Sequence, residues 1–347
     1  AGEPENQLIC LLESIGHMSG DTLREESYPY AEGAEDWDPE AFFQAVEGED
    51  EARAICLTRG AIATGDAYGA MEHALARAAL AHYADFGHSA IYVPKAGALI
   101  RRLGEDIAEP VLVSLVRGIV SAFREDLIPE FRAYGGALET FGTKPNGAAP
   151  AAADYAKLNA NKAVQFTAEH GTAPALDLFR TLLAANATNM MAFDLSHLDD
   201  LDQPYGSDFG WLDLTHGLTF ADAVLELCRK YPELWPAGLL QMACFSGRNI
   251  AHQDDNVDFE VWKVTDPDAF FADVAQTLFD HGHDEYIVSV HLVKTAQSVR
   301  NLLASQEAGH AGELALAALN RLLASPVRRK MVRRTARQAM RFVDTDI

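Results

Sequence analysis

The period of the apolar residues is the feature that most constrains this chain. Along nearly all of its 347 residues they recur at three- and four-residue spacing in an Ala- and Leu-rich background, and the β-branched alternation of strands is rare. Each such stretch can bury one stripe of a helix. The expected fold is therefore all-α, a multi-helix bundle with buried histidine-bearing helices and no significant sheet. A composition of 48% hydrophobic and 23% charged residues is that of a globular protein. The length allows one large domain, 1–347, with a substantial core. The segment 142–152 (GTKPNGAAPAA) reads as a linker that would subdivide it into 1–141 and 153–347.

Helices are expected at 4–15, 51–62 and 66–85, in a stretch ending near 103 with Pro94 in its first turn, and over 107–140, 152–169 and 173–192. The remainder fall near 209–230, 234–252, 267–281, 284–305, 311–324 and 327–342. Residues 16–50, with one helical turn near Glu40, and 194–208 read as long loops.

The formal charge of −23 argues against nucleic acid as a partner, because phosphate contact needs a basic face. Residues 1–53 hold 15 acids against Arg24 and Arg53, whereas 321–341 hold eight bases and no acid. That basic tail reads as an amphipathic helix lying on the acidic body. No apolar run approaches the roughly 18 residues that span a bilayer, so no membrane is expected. Cys10, Cys56, Cys228 and Cys244 fall in no metal or redox spacing and read as reduced thiols of a cytoplasmic protein. Ala1 stands where an initiating Met would, which raises the expectation of an upstream domain.

The 12 histidines carry the chemical signal. In YIVSVHLVKTA (286–296), His291 and Lys294 lie three residues apart inside a helix that is apolar on nearly every face. A charged lysine there costs several kcal/mol unless it is paired or neutralised. In WLDLTHGLTFADAVLELC (211–228), His216 faces Leu212, Phe220 and Leu227, and the Gly217 beside it makes room for a ligand or a close helix crossing. His252 closes the apolar helix LLQMACFSGRNIAH. His88, in FGHSAIYVPK, is a loop histidine able to reach into a cleft. Of His73 and His82, the apolar periodicity selects His82 for the buried face. Trp211, Phe220, Phe245, Tyr92 and Met190 are candidates to line an apolar cavity. Histidines on separate apolar helices are how helical bundles build metal sites, and imidazole-rich sites suit iron, copper or zinc.

Three short segments, His73-Ala-Leu75, Thr215-His216-Gly217-Leu218-Thr219-Phe220 and His291-Leu-Val-Lys294, resemble the questin oxidase-like family of helical non-haem iron oxygenases. The resemblance implies Fe(II) held by four histidines and a carboxylated lysine, and oxidative cleavage of an aromatic, polyketide-like ring with dioxygen. Carried onto this chain it makes His73, His216 and His291 ligands and Lys294 the carboxylated residue, with His291 and Lys294 central to catalysis. The fourth histidine is His252 or His88. The stretch FGHSAIYVPK also resembles helical domains that follow Rieske-type domains, which would supply an upstream redox partner; a homo-oligomer is the other expected assembly. Two other readings stay open. One is a helical metal-dependent phosphohydrolase built on His283-Asp284, and the other is a non-enzymatic scaffold with satisfied core histidines.

Overall fold

The computed structural model describes residues 3–22, 30–145, 147–199, 209–283, 285–326 and 332–345. Among these the structure is helical with no strand, as the apolar period predicts. In chain order the helices are α1 Pro4–Thr22, α2 Pro39–Glu47, α3 Glu51–Ile62, α4 Ala67–Ala81, α5 His88–Leu103, α6 Ala108–Val120, α7 Ala133–Thr140 and α8 Ala160–Glu169. They continue as α9 Ala175–Met191, α10 Trp211–Lys230, α11 Trp235–Arg248, α12 Pro267–Phe279, α13 Tyr286–Ala304, α14 His310–Ala324 and α15 Val332–Thr345.

Several starts are fixed by local chemistry. The Asp38 carboxylate accepts from the Glu40 and Ala41 amides at 2.9 Å, with Pro39 opening α2. Asp50, Asn159 and Asp266 cap α3, α8 and α12 the same way. Each cap is worth about 1 kcal/mol.

Local signals failed in identifiable places. Residues 16–22 continue α1, and α2 occupies the stretch read as loop around Glu40. The helical stretch expected over 107–140 is two helices: α6 ends at Val120, and the extended Ile128 before Pro129 (ψ 155°) separates it further from α7. Pro94 sits inside α5 and not in its first turn, since the helix begins six residues earlier at His88. α11 stops at Arg248, which leaves His252 outside it. Residues 200–208 of the second expected loop, and 327–331 of the last expected helix, lie outside the described residues.

The chain divides into two compact units. The first comprises Ala1–Ala81, Tyr92–Phe123 and Asp266–Ala296, and the second His82–Ile91, Arg124–Thr265 and Gln297–Ile347. Residues 142–152 therefore fall inside the second unit, and α5 and α13 each run from one unit into the other. In the first, α3 packs on α2, α4 and α6, and α1 on α12. Gly97 of α5 lies so close to the Tyr68 ring that a Cβ would meet it at 2.3 Å, while the Tyr68 hydroxyl donates to the Val93 carbonyl at 2.9 Å.

In the second unit α11 packs on α7, α8, α9 and α10, and α9 on α14. Glycines set the closest crossings. A Cβ on Gly247 would meet the Ala160 backbone at 2.4 Å, and one on Gly217 would meet Asn186 Oδ1 at 2.7 Å. Gly217 thus serves a helix crossing. The Asn186 amide it admits donates to the carbonyls of Leu182 and Met242. α10 is buried on nearly every face, so whatever polar groups it carries must find partners within the protein.

Candidate metal centre

α10 carries His216 in its second turn, buried with 5% exposure. Its Nδ1 lies 2.6 Å from the carbonyl of Leu212, one turn back. A carbonyl only accepts, so Nδ1 holds the proton and Nε2 presents a lone pair. His88 is the first residue of α5 and half-buried. Its Nδ1 faces the Asp85 carboxylate at 3.6 Å, longer than a hydrogen bond but close enough to orient the ring. The His88 imidazole holds Asp85 below its ordinary carboxylate range.

The two Nε2 atoms meet at 2.9 Å, with the rings edge-on at 80°. That spacing is met either by an N–H···N hydrogen bond from His88 to His216 or by a metal ion that both lone pairs bind. Imidazoles whose far nitrogens are tied to a carbonyl and a carboxylate are set as metal ligands commonly are.

Phe86 flanks the pair within the second unit, with a charged cluster behind it. The Phe86 ring lies 5.4 Å from the His216 ring. The Arg248 guanidinium covers Phe86 at 4.3 Å and pairs with Asp213 at 3.1 Å and Glu125 at 3.5 Å. Burial pushes both of those carboxyls above their ordinary range, against the pull of Arg248.

In the first unit, His291 repeats the arrangement of His216. It is buried, and its Nδ1 lies 2.6 Å from the Ile287 carbonyl four residues back. Lys294, one turn on, is half-buried, and burial pushes its amine down to about 8.

The other expected ligands are placed differently. His73 is exposed on α4, because that helix turns Met71, Ala74, Leu75 and Ala78 inward. His82 lies just past α4, 3.1 Å from Asp126, which also takes two bonds from Arg124. Burial raises the Asp126 carboxyl, but these partners outweigh it and hold it down at about 2. His252 is exposed at a left-handed turn (φ 56°) and stacks on His197 with ring centroids 3.5 Å apart. His88, read as a loop residue, opens a helix.

Trp211, Phe220, Phe245 and Met190 are buried in the core, and Tyr92 is exposed. Two clefts of about 380 and 430 Å³ open on the second unit, and neither is lined by a histidine. For the phosphohydrolase reading, Asp284 lies outside the described residues, while His283 donates its backbone N–H to His281 Nδ1 at 2.9 Å. Asp85, Phe86, Glu125 and Arg248 carried no local sequence signal beyond the glycine turn at 87. Among known proteins, the chain matches no family model, no curated protein and no solved structure.

Proposed function

We propose that this chain is a metal-dependent oxidoreductase, a non-haem Fe(II) oxygenase, with His88 and His216 as two of its ligands. The 2.9 Å approach of their Nε2 atoms carries the reading, together with the Leu212 carbonyl that takes the His216 Nδ1 proton and the Asp85 carboxylate that faces the His88 ring. The family resemblance makes His291 a further ligand, and it shares with His216 its residue type, its burial and its Nδ1 tether. Lys294, with its amine brought near neutrality by burial, suits carboxylation to an anionic oxygen ligand. His73 and His252 are left out of the ligand set, both being exposed.

Iron so held would supply the redox step with dioxygen. The residues of this chain would fix the tautomers of His216 and His291 through Leu212 and Ile287, orient His88 through Asp85, and keep solvent from the buried faces of His216 and His291. The substrate class proposed, an aromatic or polyketide-like small molecule, rests on the family resemblance of the segments around His216 and His291.

Elemental analysis of protein purified without added metal tests the reading. About one iron per chain is expected, lost in His216→Ala and His291→Ala while helicity persists, with oxygen uptake on aromatic substrates by the iron form only. Zinc or manganese in its place would turn the assignment toward hydrolysis. No metal, with variants that are only less stable, would make His88 and His216 a structural pair sharing a proton.

A further inference from the structure

The turn that delivers His88 is strained. Asp85, Phe86 and Gly87 all have left-handed backbone, with φ of 46°, 51° and 72°. Only the last is a glycine, and two consecutive side-chain-bearing residues in that region persist only where their surroundings hold them. Gly87 has no alternative, since a Cβ there would meet the Phe220 ring at 2.4 Å.

The surroundings converge on one side chain. The Phe86 amide donates to Glu125 Oε2 at 3.0 Å, so Glu125 holds the backbone of the turn. Arg248 engages Glu125 through Nη1, holds Asp213 at the start of α10 through Nη2, and lays its guanidinium on the Phe86 ring. One planar cation thus ties the end of α11, the start of α10, the segment before Pro129 and the turn. Glu125 is buried and Asp213 half-buried, and Arg248 is the counter-charge both share. No other described cation pairs with either carboxylate.

We propose that Arg248 is a positioning residue for the His88–His216 pair: it clamps the 85–87 turn in its left-handed form and so holds the His88 ring against His216. Without the guanidinium, Phe86 loses its cover and Glu125 its neutralising partner. The turn then relaxes toward negative φ, and the first residue of α5 swings its ring off His216. Arg248 touches neither imidazole; it acts through Phe86 and Glu125. The inference concerns the geometry of the pair and is separable from the identity of any metal.

The test reads that geometry directly. Full-length protein with ring-¹³C histidine, stripped of metal by a chelator, should give an NOE between ring protons of His88 and His216. Arg248→Met should lose this cross-peak. Arg180→Met is the stability control, because Arg180 also bonds a carbonyl (Glu307) and pairs with an acid (Asp177), but away from the turn. It should lower the melting temperature and keep the cross-peak. Arg248→Lys keeps the charge without the planar stack, and should recover the fold but only part of the cross-peak intensity. A cross-peak intact in Arg248→Met, or lost equally in Arg180→Met, overturns the proposal. A wild type without the cross-peak overturns it together with the pair. A wild type with the cross-peak and no bound metal removes the oxygenase reading and leaves this one standing.

Discussion

The second unit contains two histidine pairs of opposite character. His88 and His216 meet edge to edge, their Nε2 atoms 2.9 Å apart and their planes at 80°. His197 and His252 lie face to face, 3.5 Å between centroids and 21° between planes. In the first pair the Nε2 atoms converge on one point, where a shared hydrogen or a small cation fits. In the second the nitrogens lie in nearly parallel planes, and the contact is one of ring surfaces. The tethers differ too. His216 is pinned by a helix carbonyl and His88 by Asp85, whereas His252 sits exposed on a left-handed turn after α11. Identical side chains at similar separation thus differ in what they can bind, and orientation decides it.

Removal of single rings should separate the pairs most sharply. His216→Ala is expected to abolish bound metal, and His252→Ala to leave metal content unchanged, both by elemental analysis. Equal loss in the two would erase the distinction drawn between them. Next in size is the tether of His88. Asp85→Asn keeps the shape but removes the anion, and should weaken metal binding by about 10- to 100-fold in competition with a chelator, in line with other outer-shell changes. An affinity that does not move would mean that Asp85 does not orient the ring.

Gly87→Ala tests the turn beneath the same pair. Left-handed backbone and the Phe220 clash together should cost about 1–3 kcal/mol in denaturant unfolding. Gly65→Ala, also left-handed (φ 86°) but with open space around it, should cost less.

The pH dependence of Lys294 tests the burial of its bare amine. Its folded value of about 8 lies below the ordinary 10.5, so the unfolded chain binds more protons between those limits. Stability contributed through this group therefore rises with pH across that window, and the penalty of burying the cation is fully present below about 8. Lys294→Met should gain stability over metal-free wild type at pH 7 and lose that advantage by about pH 10.5. A stability difference independent of pH in carbonate-free buffer would mean that the amine is not buried as described.

Much of this was legible in the chain itself. The apolar period predicted an all-helical fold. The helices expected from 51 and 267 begin at those residues, where Asp50 and Asp266 cap them. His216 and His291 were recognisable as buried, since helices apolar on most faces leave their polar residues nowhere else to go. His73 and His252 are exposed, at places where the sequence offered only a motif fragment or an apolar run. One faces outward on an Ala-rich helix whose two faces look alike, and the other follows a helix that ends four residues earlier than its pattern suggests.

The amino-acid sequence by itself determined the helices, their buried stripes and which imidazoles had to be interior, because those follow from a 3.6-residue period and from the cost of burying polar groups. Tertiary structure alone decided that His88 meets His216 across 128 positions of chain, and that Glu125, Asp213 and Arg248 gather around the turn that makes them meet. Such convergence depends on helix crossings and on a three-residue left-handed turn, and neither leaves a periodic mark in the sequence.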